Sequence, residues 1–182
     1  MISTSEKEPS KVNSRPARLA RSRVPFGVRH ILVAMESDEK VPRAVEYAKR
    51  FARLCHCQLT LMSVYRVKYS FAPLHGLEAV RSMEQEMDQA FQDLESLTTQ
   101  VRQGFQECDA CFRAGIPDDE ISWTVNALGI DLIVIGKRCG QPTQDKSDGI
   151  KAETIRQRTG CPVIVVQEDK RSSGPSGTGC FS

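Results

Sequence analysis

Glycine and basic residues follow a strongly apolar run in the second half of the 182-residue sequence. Gly136 comes directly after residues 132–135 (LIVI), Lys137 and Arg138 follow it, and Gly149 precedes the next amphipathic segment. Glycine lets a backbone come close to a ligand, and the start of a helix presents unpaired N–H groups to an anion. This combination suits a phosphate group. Taken alone the indication is weak, because glycines also end strands and begin helices for structural reasons.

Carboxylates follow the first apolar run in the same way. Glu36 and Asp38 come just after residues 30–35 (HILVAM). A carboxylate at this position has the chemistry to hold a ribose hydroxyl or a metal ion. Ser37 and Asp38 are also side chains of the kind that cap helices, and a helix is predicted directly downstream. We favour the capping role.

The cysteines indicate neither a metal site nor a disulfide framework. Seven are present, an odd number, in a chain with enough apolar residues for a core of its own. Cys108 and Cys111 form a C-x-x-C inside a predicted strand, where residues three apart face opposite sides. No second ligand pair at zinc-finger spacing follows Cys55 and Cys57. We therefore expect reduced thiols, with Cys139 in the basic loop as the candidate for a reactive one.

The motifs of common catalytic sites are absent from the sequence. No G-x-x-x-x-G-K-[ST] string occurs, and no G-x-G-x-x-G string follows the first predicted strand. None of the three histidines, at positions 30, 56 and 75, has an evident serine or cysteine partner at a strand end. We therefore predict no catalytic residues and a binding or regulatory module. A weak nucleotide hydrolase is the enzymatic alternative.

Five short apolar runs alternate with amphipathic segments, and these elements must position the groups above. The runs predict strands at 30–35, 58–65, 105–112, 131–136 and 161–166, with helices at 41–52, 77–101, 117–128 and about 149–158. Strands that are apolar on both faces and alternate with helices indicate an α/β fold. We predict a Rossmann-like, doubly wound, five-stranded parallel sheet with helices on both faces. Ligands of such sheets lie beyond the carboxyl ends of the strands, here after the first and fourth.

Composition divides the chain into one domain and two tails. The first 30 residues hold seven Lys and Arg against two Glu, and residues 1–28 have few apolar residues. We expect this basic arm to be disordered and solvated, rather than bound to an anionic partner. Residues 29–168 form the domain and residues 169–182 a flexible Gly/Ser tail. The mildly acidic body argues against nucleic-acid binding.

Two further expectations concern surfaces. No apolar run is long enough to cross a bilayer and no secretory segment is visible, so we expect a cytoplasmic protein without membrane insertion. The predicted helix 77–101 carries apolar residues every three or four positions. A coiled-coil partner is one explanation of this spacing, and packing on its own sheet is the one we favour.

Five strings, in order and at suitable spacing, resemble the universal stress protein family. They are ILVAMES (31–37), LTLMSV (59–64), GIP (115–117), DLIVIG (131–136) and CPVIVV (161–166). The likeness covers about residues 29–168, a single domain, and the last two strings are the most specific. It implies an adenine nucleotide α-hydrolase-like fold, a regulatory role in the stress response, and ATP with Mg²⁺ as the candidate cofactor.

Members of this family that bind ATP carry G-x-x-G, nine residues, and then G-[ST]. Gly136 and Gly149 match the first and third positions, whereas Cys139 and Ile150 stand at the second and fourth. The resemblance implies an adenosine side lined by Ala34, Met35, Glu36 and Val64. It places the phosphates near Ile135, Gly136, Arg138, Cys139, Gly149 and Ile150.

These departures leave two functions open. A side chain at Cys139 crowds a backbone that must approach phosphate, and Ile150 has no hydroxyl to donate. Two aspartates in the loop oppose a polyanion and three basic residues attract it. The alternative to an ATP-binding module is a ligand-free dimer that acts through protein partners. The resemblance implies a homodimer formed by the last strand, between Pro162 and Gln167, because an apolar sheet edge needs cover.

Overall fold

The chain folds as a five-stranded parallel sheet with helices on both faces, which confirms the predicted class. The computed structural model describes residues 27–37, 41–67, 77–138 and 149–168. Its elements are β1 (His30–Glu36), α1 (Pro42–Cys55), β2 (Gln58–Arg66), α2 (Leu77–Gly104), β3 (Cys108–Gly115), α3 (Pro117–Leu128), β4 (Leu132–Arg138), α4 (Ala152–Thr159) and β5 (Val163–Glu168). The strand order is β3-β2-β1-β4-β5. The basic arm and the Gly/Ser tail expected at the two ends lie outside the described residues, apart from the arm's last two positions.

Two aliphatic cores, one on each face, hold the sheet between the helices. On one face Ile31, Val33 and the other inward residues of β1 pack with α1 and α2. On the other face Leu32 and Ala34 pack with α3 and α4. Neighbouring residues of a strand point to opposite faces, so a strand covered on both sides must be apolar throughout. That requirement explains the uninterrupted apolar runs.

The strand order reverses at β1, which lies between β2 and β4. Ala34 pairs with Met62 on one side and with Ile135 on the other, and Glu36 pairs with Val64. The chain leaves β1 and β4 toward opposite neighbours, so a crevice opens beyond their carboxyl ends. The residues expected to bind a ligand lie at this end of the sheet.

The predicted starts of the third strand and of the last helix were each three residues too early. The third strand begins at Cys108 rather than at 105, because α2 runs on to Gly104 and the Phe105 N–H still bonds to the Val101 carbonyl. The last helix begins at Ala152 rather than at Gly149, whose φ of +134° is incompatible with a helix.

The predicted capping of α1 by Ser37 was also wrong. The helix begins at Pro42, and the side chain of its N-cap residue, Val41, makes no capping hydrogen bond. Ser37 instead donates its N–H to the Val64 carbonyl, 3.0 Å away. Asp38 lies outside the described residues.

The thiols in the described ranges are free, and all of them except the half-buried Cys111 are buried, as expected for small apolar side chains. Cys108 packs in the core under α1 and α2, and Cys111 packs against the opposite core, so the C-x-x-C pair cannot clamp one metal. Burial raises the pKa of Cys57 to about 11 and that of Cys108 to about 12. These thiols are therefore protonated and poorly nucleophilic at neutral pH. Cys139 lies outside the described residues.

His30 gives the fold a pH dependence. Its Nε2 lies 2.8 Å from the Thr60 hydroxyl, and burial lowers its pKa below 6.5 against weaker opposing contributions from a backbone bond and two aspartates. The unfolded chain therefore binds more protons than the folded chain as the pH falls below about 6.5, so stability decreases with the pH. We expect the free energy of unfolding, measured in urea, to differ less between pH 8 and pH 5 in His30→Gln than in the parent. The exposed His56→Asn is the control, and an equal pH difference in both variants would contradict this role.

Candidate functional site

An apolar floor lies beneath the crevice at the ends of β1 and β4. Ala34, Val64 and Ile135 are 0%, 0% and 3% exposed and share the core on the α3 and α4 face. Ile150, which precedes α4, packs against the same core. Four residues that the family resemblance places around a nucleotide are thus brought to one face of the sheet.

Met35 and Gly136 lie on the opposite face. Met35 is buried in the core under α1 and belongs to the same apolar cluster as Val41. A Cβ placed on Gly136 would lie only 2.5 Å from Val41 Cβ and 3.2 Å from an oxygen of Glu168. The glycine therefore makes room for the start of α1, and the sheet separates it from the apolar floor.

Glu36, at the end of β1, is held by Arg66, at the end of β2. The Arg66 Nε and Nη2 atoms donate to the two carboxylate oxygens over 3.0–3.1 Å, and the side chains are 13% and 26% exposed. A partly buried, forked arginine–carboxylate contact fixes the carboxylate more firmly than a surface ion pair would. The pair is the main polar feature of the crevice among the described residues.

Gly149 comes close to this ion pair. A Cβ on Gly149 would lie 3.9 Å from the Glu36 Oε1 atom, and its φ of +134° is one that side-chain-bearing residues rarely adopt. The start of α4 therefore passes over the end of β1 with bare backbone. Glu36, Arg66 and Gly149 together form the polar rim above the apolar floor.

Sequence reasoning missed Arg66. It lies two residues beyond Val64, the register partner of Glu36 in the adjacent parallel strand. Residues i and i+2 of a strand point to the same side, so the register, once known, places an arginine next to the carboxylate. The strand pattern alone carries no register, and Arg66 was therefore not distinguished from other surface arginines.

Protein carboxylates already lie at the starts of two helices that flank the crevice. The Glu168 oxygens accept from the Arg43 and Ala44 N–H groups over 3.1 and 2.8 Å. Asp118 accepts from the N–H of Lys151, the N-cap of α4, over 3.0 Å. Both helix starts thus bind an internal anion, which satisfies donors that a phosphate would otherwise use.

Two residues of the predicted site have side chains that the structure does not describe. Arg138 ends β4, but its side chain is outside the described part of the structure, as is Cys139. Within residues 27–37, 41–67, 77–138 and 149–168, no cluster of three His, Cys, Asp or Glu side chains is arranged to hold a metal ion. His30 begins β1 and lies at the opposite end of the sheet from the crevice.

The comparisons with known proteins agree with this fold. The model of the universal stress protein family matches residues 27–167. The chain belongs to the universal stress protein family. No curated protein sequence matches it. None of the helices in the described ranges has the length and apolar character needed to span a membrane.

Solved structures of this family share the architecture at low sequence identity. The universal stress protein UspA from Lactobacillus plantarum is 20% identical, with a TM-score of 0.61, and the match covers 76% of this chain and 97% of that one. A universal stress protein from Archaeoglobus fulgidus is 20% identical, with a TM-score of 0.53 over 76% of this chain and 44% of that one. A family member from Burkholderia pseudomallei is 17% identical, with a TM-score of 0.51 over 76% and 96%. Such likeness shows the fold of this universal stress protein. The nature of its ligand must be inferred from its own residues.

Proposed function

We propose that this universal stress protein is a non-catalytic, cytoplasmic regulatory module that binds an adenine nucleotide beyond the ends of β1 and β4. The observation that carries the proposal is the convergence of Glu36, Arg66 and Gly149 over an apolar floor. An apolar floor with a few fixed polar groups is the usual composition of a small-molecule site. The position at the reversal of strand order is the usual place for one.

Each part of the crevice has a role in this proposal. The apolar floor of Ala34, Val64 and Ile135 suits a purine base. The Glu36 carboxylate, oriented by Arg66, is an acceptor for ribose hydroxyls. Gly149 lets the backbone before α4 come near a phosphate. The first-turn N–H groups of α4 favour negative charge, although Asp118 already accepts from that of Lys151.

Direct binding of ATP, ADP and AMP, each with and without Mg²⁺, tests the proposal by calorimetry on the full chain. We expect micromolar affinity and a Glu36→Gln variant that binds about 10–100-fold more weakly, because the amide breaks the fork with Arg66. At a ligand concentration 100 times the dissociation constant, the parent should gain about 2.7 kcal/mol of stability. The control is Glu46→Gln, which removes an exposed carboxylate of α1 that pairs with Arg50.

Two results would contradict nucleotide binding in this crevice. One is the absence of both heat and thermal stabilisation at millimolar nucleotide. The other is equal affinity in the parent and in a folded Glu36→Gln variant. A turnover assay on the same samples distinguishes a binding module from a weak nucleotide hydrolase, since only the latter releases phosphate.

The second candidate function is a ligand-free dimer that acts through protein partners. It is favoured by the carboxylates of Glu168 and Asp118, which occupy the donors at two helix starts. It is also favoured by Gly136, where the lack of a side chain makes room for Val41 rather than for a ligand above the apolar floor. Failure of nucleotide binding would leave this candidate in place.

A homodimer through β5 fits either function. The strand lies at an edge of the sheet, where β4 is its partner among the described strands, and Val165 is 44% exposed. Ile164 and Val166 pack against the core under α1, which makes Ile164→Lys a poor test because it also perturbs folding. An exposed apolar edge needs cover, and a second copy of β5 provides it.

We therefore expect Val165→Lys to halve the mass measured by size exclusion with light scattering. Leu128→Lys, at a residue of α3 that is 38% exposed, is the matched control and should leave the mass unchanged. A dimer that persists in a folded Val165→Lys variant would exclude this interface.

A further inference from the structure

A stripe of apolar side chains on the first half of α2 is only partly covered by the described residues, among them Phe112, which contacts Phe91. It consists of Val80, Met83, Met87 and Phe91, of which the first, second and fourth are 48%, 37% and 48% exposed. Steps of three and four residues place the four side chains, here called the α2 stripe, on one side of the helix. The same side continues into Leu94, which is buried against the sheet. The predicted packing of this helix on its own sheet therefore holds for its second half, and the first half extends beyond the core.

The helix around the α2 stripe is acidic. Residues 77–95 contain six Asp and Glu and a single basic residue, Arg81. All six carboxylate side chains lie on the exposed surface, and Glu86 also accepts a hydrogen bond from Tyr65. Two such helices would repel each other, which disfavours a second copy of α2 as the cover. The surface suits a basic segment that also carries apolar side chains.

We propose that residues 1–26 of the same molecule, the basic arm without its last two positions, dock on the α2 stripe, in place of the solvated state expected from composition alone. The basic arm holds six Lys and Arg against two Glu, the opposite sign to the helix. Apolar residues lie between its arginines, among them Leu19 and Val24. Attachment within one chain keeps such a segment at a high effective concentration, so modest contacts suffice.

The topology brings the two within reach. The basic arm joins the domain next to His30, and Gly104 of α2 lies at the same end of the sheet, just before β3. Phe91 is about 20 Å along the helix from Gly104, and Val80 about 36 Å, at 1.5 Å per residue. Fully extended, residues 15–26 span up to about 40 Å and residues 21–26 about 20 Å. Arg21 can therefore approach Phe91, and Arg15 can approach Val80 at the far end of the stripe.

Hydrogen exchange on the full chain tests the proposal. Neutralising the arm with Arg15→Gln, Arg18→Gln, Arg21→Gln and Arg23→Gln changes nothing in the described fold. We expect the amides of residues 77–91 to exchange about tenfold faster in this variant and also in the parent at 0.5 M NaCl. The removal of apolar contacts by Val80→Ser with Met83→Ser should remove the protection conferred by the arm, so the arm substitutions then have no further effect. Leu54→Ser, at a residue of α1 that is 74% exposed, is the control and should leave that protection intact.

A zero-length carbodiimide cross-link provides the second measurement. In the parent we expect mass spectrometry to find Lys7 or Lys11 joined to carboxylates of residues 78–95. The yield should be unchanged by tenfold dilution, as expected for docking within one molecule. Exchange that is identical with and without the arm charges would overturn the proposal. Cross-links or protection that disappear on dilution would assign the stripe to a second copy and would overturn it as well.

Discussion

Gly136→Ala is expected to lower the free energy of unfolding by about 3 kcal/mol, at the upper end of the usual cost of overpacking a core. The added methyl group would lie 2.5 Å from Val41 Cβ, an atom next to the backbone that cannot rotate away. The start of α1 would have to shift, and with it the Glu168 carboxylate, 3.2 Å from the added atom. Urea unfolding followed by circular dichroism measures the change.

Gly104→Ala is the matched control. A Cβ there would meet the guanidinium of Arg53, the mobile end of a long side chain, at 3.0 Å. Its effect should stay below about 1 kcal/mol, since alanine is also the better helix residue. The double variant Gly136→Ala with Val41→Ala should recover part of the loss. Nucleotide affinity lost without loss of stability in Gly136→Ala would show that the glycine serves a ligand instead.

Glu168→Ala is expected to destabilise the fold by about 2 kcal/mol. The carboxylate is 4% exposed and accepts from the Arg43 and Ala44 N–H groups at the start of α1. Loss of a helix N-cap acceptor costs about 0.5–2 kcal/mol, and burial of the orphaned donors places this site at the upper end. Urea unfolding should show the larger loss of stability in Glu168→Ala. The loss should be smaller in Glu168→Gln, because the amide oxygen remains as one acceptor.

Glu46→Ala is the control for charge alone, because Glu46 lies exposed on the same helix and pairs with Arg50. It should cost less than about 0.5 kcal/mol. Equal effects of Glu46→Ala and Glu168→Ala would contradict a capping role for Glu168. Nucleotide binding that strengthens in a folded Glu168→Ala variant would show that the carboxylate competes with phosphate for the helix start.

The two variants also test on which face of the sheet a bound nucleotide lies. Both concern the α1 face of the sheet, whereas Glu36, Arg66 and Gly149 rim the crevice above the α3 and α4 face. If the binding site is confined to that crevice, Gly136→Ala should lower the stability of the fold without lowering the nucleotide affinity of the folded protein. The family resemblance places both Gly136 and Gly149 near the phosphates. The nucleotide affinity of folded Gly136→Ala, compared with that of the parent, tests whether a bound nucleotide lies close to both glycines.

The sequence by itself determined the class of fold, the order of its elements and the end of the sheet that carries the predicted site residues. Strands covered on both faces leave uninterrupted apolar runs, and helices covered on one face leave a period of three to four residues. Both patterns arise from neighbours along the chain. Residues 132–135 and 163–166 were therefore placed in the correct strands, and the family was named from the same strings.

Only the tertiary structure decided which side chains meet. Glu168 caps a helix that begins 126 positions earlier at Pro42, Arg66 holds Glu36 across a strand register, and Gly136 makes room for Val41. None of these pairs has a characteristic spacing, because each depends on how strands align and on which face a residue points to. Helix boundaries failed for the same reason: the cap of α1 comes from β5, and local residues such as Ser37 carry no sign of it. Contacts between distant segments are set by packing of the whole domain, which a local pattern does not contain.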